Sequence, residues 1–172
     1  VGYNGTTAVA GRVTGTAGIN FQSSGQVGTG LGVVDAAARS GTVTVSGDVY
    51  RLAVGSLSTT TLNLGNIRLN ETVSAGSLVL VNSAASDNYS DLLRYGGTLT
   101  PPGFALSGGS ATLTAGSSAL LGLRYTGSTA EAGVQSGMLA LGLTSVGQAG
   151  TGLADHGLAS QTVSVFATVF RK

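Results

Sequence analysis

The stretch Thr42-Val-Thr-Val-Ser-Gly-Asp-Val49 decides the fold class, because apolar and polar side chains alternate along it with a period of two. Successive side chains of a β-strand point to opposite faces, so Val43, Val45 and Val49 share one face and the threonines lie on the other. A second stretch, Gln161-Thr-Val-Ser-Val-Phe-Ala-Thr-Val169, repeats this pattern in the same phase. Both stretches predict strands with one apolar face.

Most of the remaining chain shows the same period, or apolar runs of strand length. Further strands are predicted at Gly137–Thr144, Ser77–Asn82, Ser118–Tyr125, Thr61–Leu64, Asn66–Leu69 and Ala111–Thr114. Glycine pairs such as Gly108-Gly109 are typical of the turns between strands, and Ser86–Arg94 is the one segment that predicts a turn of helix. Roughly seven or eight short strands in about 115 residues predict an all-β fold, an Ig-like β-sandwich.

The chain also repeats part of its own sequence. Residues 1–31 match residues 123–153 at 14 of 31 positions, and residues 34–51 match residues 154–171 at 7 of 18. Chance in so biased a composition gives matches at roughly a tenth of positions. The two regions are therefore copies of one structural unit.

The repeat predicts how the chain divides into domains. We expect residues 54–172 to form one complete Ig-like β-sandwich and residues 1–53 to form the carboxy-terminal part of a second repeat, because Val1 aligns with Leu123. A β-sheet buries its apolar face only against a second layer. Residues 1–53 are therefore expected to pack on a neighbouring molecule, on the complete unit or on a further part of the polypeptide.

Composition removes several classes of function. The 172 residues include no cysteine, so disulfides and thiolate chemistry are excluded. A formal net charge of +1, with Lys172 as the sole lysine, is unlike a nucleic-acid-binding protein. No apolar run approaches the roughly 20 residues of a membrane-spanning helix, and the longest is Leu78-Val-Leu-Val81.

Three stretches carry a resemblance to a known family. They are Leu62-Asn-Leu-Gly-Asn-Ile-Arg-Leu69, Val73-Ser-Ala-Gly-Ser-Leu-Val-Leu-Val-Asn-Ser-Ala84 and Asp87-Asn-Tyr-Ser-Asp91. They resemble the long Ig-like repeats of bacterial surface proteins called choice-of-anchor D, which are distantly similar to Hydin-type domains. The resemblance implies export, a secreted, extracellular or cell-surface location, tandem arrays and no enzyme activity. It implies no particular binding residues.

Two side-chain groups are candidates for chemistry. Asp87, Asn88 and Asp91 lie within five residues and offer oxygen ligands for calcium, although their spacing differs from that of an EF-hand and turn or cap roles are the alternative. His156 follows Asp155, as in a Ser-His-Asp triad, but no Gly-x-Ser-x-Gly turn supplies a nucleophile. We therefore predict no enzyme activity and no cofactor other than calcium.

The strand edges point to assembly. Soluble sheet proteins guard their edges with lysine, proline or inward charges, and this chain has two prolines and one lysine. We predict that copies of the chain associate into a homopolymer, such as an extracellular fibre or surface array, through Thr42–Leu52 and Gln161–Arg171. The residues assigned to assembly are Thr42, Val43, Val45, Val49, Thr162, Val163, Val165 and Val169.

A stalk or a glycan-binding module of a long surface adhesin is the alternative function. The five tyrosines are Tyr3, Tyr50, Tyr89, Tyr95 and Tyr125, and exposed aromatic rings are able to form a platform for sugars. Tyr3 and Tyr125 occupy equivalent positions in the repeat at the ends of strands, which favours a role in packing.

Overall fold

A computed structural model describes residues 8–23, 25–26, 28, 30, 36–71 and 75–171. The chain divides into two compact units, Val1–Val49 and Tyr50–Lys172. The described part of the first unit contains the strands β1 (Gly11–Ser23) and β2 (Ala36–Val49). The second unit contains nine strands within the described residues: β3 (Gly55–Leu57), β4 (Thr61–Arg68), β5 (Ala75–Asn82), β6 (Leu92–Thr100), β7 (Phe104–Ser107), β8 (Ser110–Leu113), β9 (Ser118–Tyr125), β10 (Gly133–Val146) and β11 (His156–Phe170).

The described residues of the first unit form an antiparallel hairpin. Its register places Gly15 opposite Val45 and Ala17 opposite Val43. Directly opposed residues of paired strands point to the same side of the sheet, so the valines of β2 share a face with the small residues of β1. The polar side chains lie on the other face, where Arg12 Nε donates to Asp48 Oδ1 across the strands at 3.1 Å.

The second unit is a two-layer sandwich. One sheet has the strand order β4-β11-β10-β6-β8 and the other has the order β3-β5-β9-β7. In the first sheet β11 lies between β4, to which it is parallel, and β10, to which it is antiparallel. The predicted all-β, Ig-like β-sandwich is confirmed.

The core lies between the two sheets. Each sheet contributes alternate side chains to it, and all of the following are buried: Leu64, Leu78, Leu80, Leu93, Tyr95, Leu121, Leu123, Leu139, Leu141, Val163, Val165 and Val169. Close packing of such side chains provides the main driving force for folding the unit. Within the described ranges, no helix is long and apolar enough to span a membrane.

The prediction of two short strands at Thr61–Leu64 and Asn66–Leu69 is wrong, because one strand, β4, covers this region. It runs without interruption from Thr61 to Arg68 and passes through Gly65, whose φ is 88°. Glycine adopts such a positive φ without a steric penalty. The Asn63 side chain accepts a hydrogen bond from Gly65 N at 2.9 Å, which supports the local bend.

The region after residue 85 differs most from the sequence-based prediction. The turn of helix predicted at Ser86–Arg94 is wrong, because the chain makes a turn there and then enters β6 at Leu92. The sequence did not predict β6, since its Gly96-Gly97 pair is typical of a turn. Gly97 is required for packing instead: a Cβ there would lie 2.8 Å from Leu106 Cδ2.

Candidate functional site

The hairpin of unit 1 reproduces the pairing of β10 with β11. Gly11 lies opposite Val49 as Gly133 lies opposite Val169. Both hairpins shift register by one residue at corresponding points of their first strands. The sequence repeat is therefore a repeat of backbone structure.

Two glycines after each first strand also correspond. Gly28 and Gly30 have φ values of 92° and 73°, and their counterparts Gly150 and Gly152 have values of 84° and 71°. Positive φ values favour glycine at each of these four positions. The glycines matched in the repeat are therefore matched because the backbone needs them.

The two hairpins differ in what covers them. We call Ala17, Ile19, Val43, Val45 and Val49 the hairpin face. Ile19 is 41% exposed, Val43 48% and Val45 37%. Their counterparts in unit 2 are fully buried, and they are Leu141, Val163 and Val165. Adjacent exposed apolar side chains on a sheet are typical of an interaction surface.

The strand edges differ in the same way. In unit 2, β10 pairs with β6 and β11 pairs with β4, so both outer edges of that hairpin are occupied. In unit 1, β1 and β2 pair with each other and with no further strand among the described residues. Unpaired backbone N–H and C=O groups at a sheet edge are able to add a further strand.

The structure therefore places the two predicted assembly strands in different surroundings. Thr42, Val43, Val45 and Val49 lie in β2, at an open edge and on an exposed sheet. Thr162, Val163, Val165 and Val169 lie in β11, an interior strand whose three valines belong to the core. Assembly through either strand stays a prediction, and of the two β2 has the accessible edge.

One contact in unit 2 involves a residue that the sequence analysis missed. Gly137 on β10 lies directly under the ring of Phe104 on β7: a Cβ built on Gly137 would be 2.7 Å from Phe104 Cδ2. The ring also packs on Tyr125, with centroids 5.2 Å apart in an edge-to-face arrangement. A Cβ built on Gly15, the repeat counterpart of Gly137, would have no described atom within 4 Å apart from those of its chain neighbours. The match of Gly15 with Gly137 was the sequence signal for this contact.

The predicted calcium ligands do not converge in the structure. The Asp87 carboxylate accepts from Arg51 Nη1 at 2.5 Å and from Tyr89 N at 2.8 Å. The Arg51 hydrogen bond, followed by that of Tyr89, lowers the pKa of Asp87 below the usual range of an aspartate. An arginine on this carboxylate already supplies the positive charge that a cation would bring. Calcium binding by Asp87, Asn88 and Asp91 stays a prediction.

Asp91 belongs to a buried polar cluster instead. Its Oδ2 accepts from Ser145 Oγ at 2.8 Å, and Ser145 Oγ in turn accepts from Ala53 N at 2.8 Å. Asn82, fully buried, donates from Nδ2 to the carbonyl oxygens of Asp91 and Leu113. Asp91 Oδ1 is buried without a hydrogen-bond partner, so the cluster is held through Asp91 Oδ2, Ser145 and Asn82. Buried hydrogen bonds of this kind fix the relative positions of the segments that they join. The cluster fastens residues 53–54 and the turn before β6 to the sandwich.

Asp155 and His156 are not arranged as in a catalytic triad. Asp155 Oδ2 accepts from Arg94 Nη2 at 2.8 Å, in an exposed ion pair. His156 is exposed and begins β11, where it lies opposite Ser145. Ser145 is fully buried and makes the hydrogen bonds given above. The prediction that the chain is not an enzyme stays a prediction.

The tyrosines do not form one platform. Tyr95 and Tyr125 are buried, and their hydroxyl groups donate to the carbonyl oxygens of Gly108 and Ser128 at 2.9 Å. Desolvation raises the pKa of Tyr95 above its usual value. Tyr50 and Tyr89 are half-buried and lie together, with ring centroids 5.7 Å apart. Tyr3 lies outside the described residues.

Sequence comparison identifies no relative of this chain. No protein-family model matches it, and no curated protein matches it in sequence. Its fold, however, is shared by solved structures.

An ASH/PapD-like domain of human CEP192 is similar over 69% of this chain and 86% of its own, with a TM-score of 0.52 and 10% identity. The E. coli chaperone DraB is similar over 69% of this chain and 56% of its own, with a TM-score of 0.45 and 14% identity. A Porphyromonas gingivalis W83 protein of unknown function is similar over 95% of this chain and 68% of its own, with a TM-score of 0.47 and 14% identity. The CEP192 domain supports the Ig-like, PapD-like sandwich, and identities this low establish the fold alone.

Proposed function

We propose that this chain is a non-enzymatic structural segment of an exported bacterial fibre or surface array, in which Ig-like repeats join through β-strand and sheet contacts. The observation that carries the proposal is the hairpin face: its Ile19, Val43 and Val45 are exposed in unit 1, whereas their counterparts in unit 2 are buried. The resemblance to choice-of-anchor D repeats supports the extracellular location.

Burial of the exposed apolar side chains favours association. Burying one large aliphatic side chain stabilises a structure by about 1.5–3 kcal/mol. Several such side chains on one face, beside two unpaired edges, favour association with another sheet. A low density of charge adds to this effect, because charged residues make up only 9% of the chain.

The proposal is tested by sedimentation velocity over a concentration series, with electron microscopy of the concentrated sample. The matched variants are Val43→Asp/Val45→Asp on the hairpin face and Thr42→Asp/Thr44→Asp on the opposite face of the same strand. Both variants add the same charge to β2. We expect the parent chain and the threonine variant to associate, and the valine variant to stay monomeric.

Two results would contradict the proposal. One is a parent chain that remains monomeric at every concentration tested. The other is equal association of the two variants, because the hairpin face would then not be the surface that joins the copies.

The glycan-binding alternative depends on Tyr50 and Tyr89. Their paired, half-buried rings are a small aromatic surface of the kind on which sugars stack. Binding on a glycan array that is lost in Tyr89→Ala and kept in the buried control Tyr95→Phe would favour it. An array without any signal for the parent chain would remove it.

A further inference from the structure

The second unit shows what covers a hairpin of this sequence. There the β10–β11 face packs against the sheet β3-β5-β9-β7, and its edges pair with β4 and β6. Most of those covering elements come from residues 54–122, which precede β10 in the chain, with residues 123–132 between them. The hairpin β1–β2 has the same register and the same positive-φ glycines, and it has open edges.

We infer that the hairpin face packs against a second segment that resembles residues 54–122. This segment lies ahead of β1 in the chain, as residues 54–122 lie ahead of β10. Its phenylalanine equivalent to Phe104 packs over Gly15. The inference shares with the proposed function only the view that the hairpin face is an interaction surface, and it does not require copies of the chain to associate. It goes further by naming the partner segment and the position of one of its side chains.

The shape of the hairpin face supports this assignment. On β10, Gly137 leaves the space that the Phe104 ring fills, and a Cβ there would lie 2.7 Å from the ring. Gly15 leaves the same space on β1, with nothing within 4 Å. The neighbour of this space across the strands is Val45, as Val165 is the neighbour of Gly137. A covering sheet with an aromatic side chain at the Phe104 position therefore fits the hairpin face.

The covering segment of a second copy of the chain is already occupied. The 54–122 segment of each copy already carries its own β10–β11 hairpin. Among the described residues, each copy brings two hairpins but one covering segment. Exchange of hairpins between copies would thus leave one apolar face uncovered in every copy, so exchange alone does not supply the covering segment.

The test adds that segment to the full chain. A second copy of residues 54–122 is joined directly to Val1, and hydrogen exchange of the β1 and β2 amides is compared with that in the parent chain. We expect protection to rise by about 100-fold or more, because opening of the hairpin then requires opening of a complete sandwich. The amides of β10 and β11 in the same molecule show that the conditions permit folding.

Two matched substitutions locate the contact. Gly15→Val lies on the hairpin face and Gly18→Val lies on the opposite face of the same strand, and neither position has an atom within 4 Å in the parent chain. In the extended chain Gly15→Val is expected to reduce hairpin protection by about 10-fold or more, the effect of overpacking a core. Gly18→Val is expected to leave it unchanged. Phe104→Ala in the added copy is expected to restore part of the protection that Gly15→Val removes.

The outcomes separate this inference from the proposed function. Unprotected β1–β2 amides in an extended chain whose β10–β11 amides are protected would overturn the inference. Equal sensitivity to the two valine substitutions, or sensitivity to neither, would overturn it as well. Sedimentation of the parent chain tests self-association independently: a monomeric parent chain with a protected hairpin in the extended chain would refute the homopolymer and support the inference.

Discussion

Replacement of Asn82 by alanine should destabilise unit 2 more than the small volume of the removed amide group suggests. The side chain is fully buried and makes four hydrogen bonds. Its Oδ1 accepts from the backbone N–H groups of Val54 and Ala84, and its Nδ2 donates to the carbonyl oxygens of Asp91 and Leu113 at 3.2 and 3.3 Å. The residue thus joins four separate segments of the sandwich.

The magnitude follows from the groups left without a partner. Ala84, Asp91 and Leu113 are buried, so their backbone groups gain no water when the amide of Asn82 is removed. Each such group costs about 1–3 kcal/mol, and hydrogen bonds of this length argue for the lower part of that range. We expect a loss of about 3–5 kcal/mol in the free energy of unfolding.

The assay is equilibrium unfolding in urea, followed by circular dichroism and tyrosine fluorescence. With a slope of about 2 kcal/mol per molar urea, the midpoint should fall by about 1.5–2.5 M. Asn63→Ala is the matched control, because Asn63 is exposed and makes one hydrogen bond, to Gly65 N. It should cost about 0.5 kcal/mol.

A second variant separates hydrogen bonding from volume. Asn82→Asp keeps the size and the Oδ1 acceptor but removes the Nδ2 donor, so a charged oxygen would point at two carbonyl oxygens. It should be at least as destabilising as alanine. A loss below about 1 kcal/mol for Asn82→Ala, or a loss equal to that of Asn63→Ala, would refute the reasoning.

Three further predictions concern the same unit. Gly137→Ala should lower the free energy of unfolding by about 1–3 kcal/mol in chemical denaturation, because its Cβ would meet the Phe104 ring. Phe104→Leu in the same chain should recover part of that stability. An unchanged stability of Gly137→Ala would contradict the packing. The Asp87 pKa is lowered in the folded state, mainly by Arg51, so its contribution to stability is present above the usual value of 3.8 and is lost as pH falls through the lowered value. Thermal unfolding from about pH 5 to about pH 2 should therefore depend less on pH in Asp87→Asn, and identical profiles would argue against the ion pair. His156→Ala should change stability by less than about 0.5 kcal/mol, and a larger loss would show a packing role that its exposure does not suggest.

The strands that sequence predicted correctly are those with a clear period. We recognised β2 and β11 by their alternating valines and β9 by its apolar run. Burial of one face of a strand gives alternating apolar residues, and burial of both faces gives an apolar run. The strand β6 was missed because Gly96-Gly97 looks like a turn. Gly97 is needed because a Cβ at this position would clash with Leu106 of the opposite sheet. No local sequence pattern predicts this contact.

The candidate site shows the same division. The sequence repeat predicts that residues 1–53 are a partial copy, and that division of the chain stays a prediction. What the structure shows is that the β1–β2 and β10–β11 hairpins share their register and the conformation of matched glycines. The repeat did not show that β11 is an interior strand and β2 an open one, since their sequence patterns are alike. Strand order in a sheet depends on long-range pairing, and β4 and β11 pair although about 100 residues separate them.

By itself, the sequence determined an all-β chain poor in charge, without cysteine, and with one unit repeated in part. These properties follow from composition and from periods of two, which act over a few residues. The tertiary structure alone decided that Asp87 is neutralised by Arg51, that Asp91 is buried against Ser145 and that Gly137 lies under Phe104. Each of these contacts joins residues more than 30 positions apart, so it exists only after the sheets have packed.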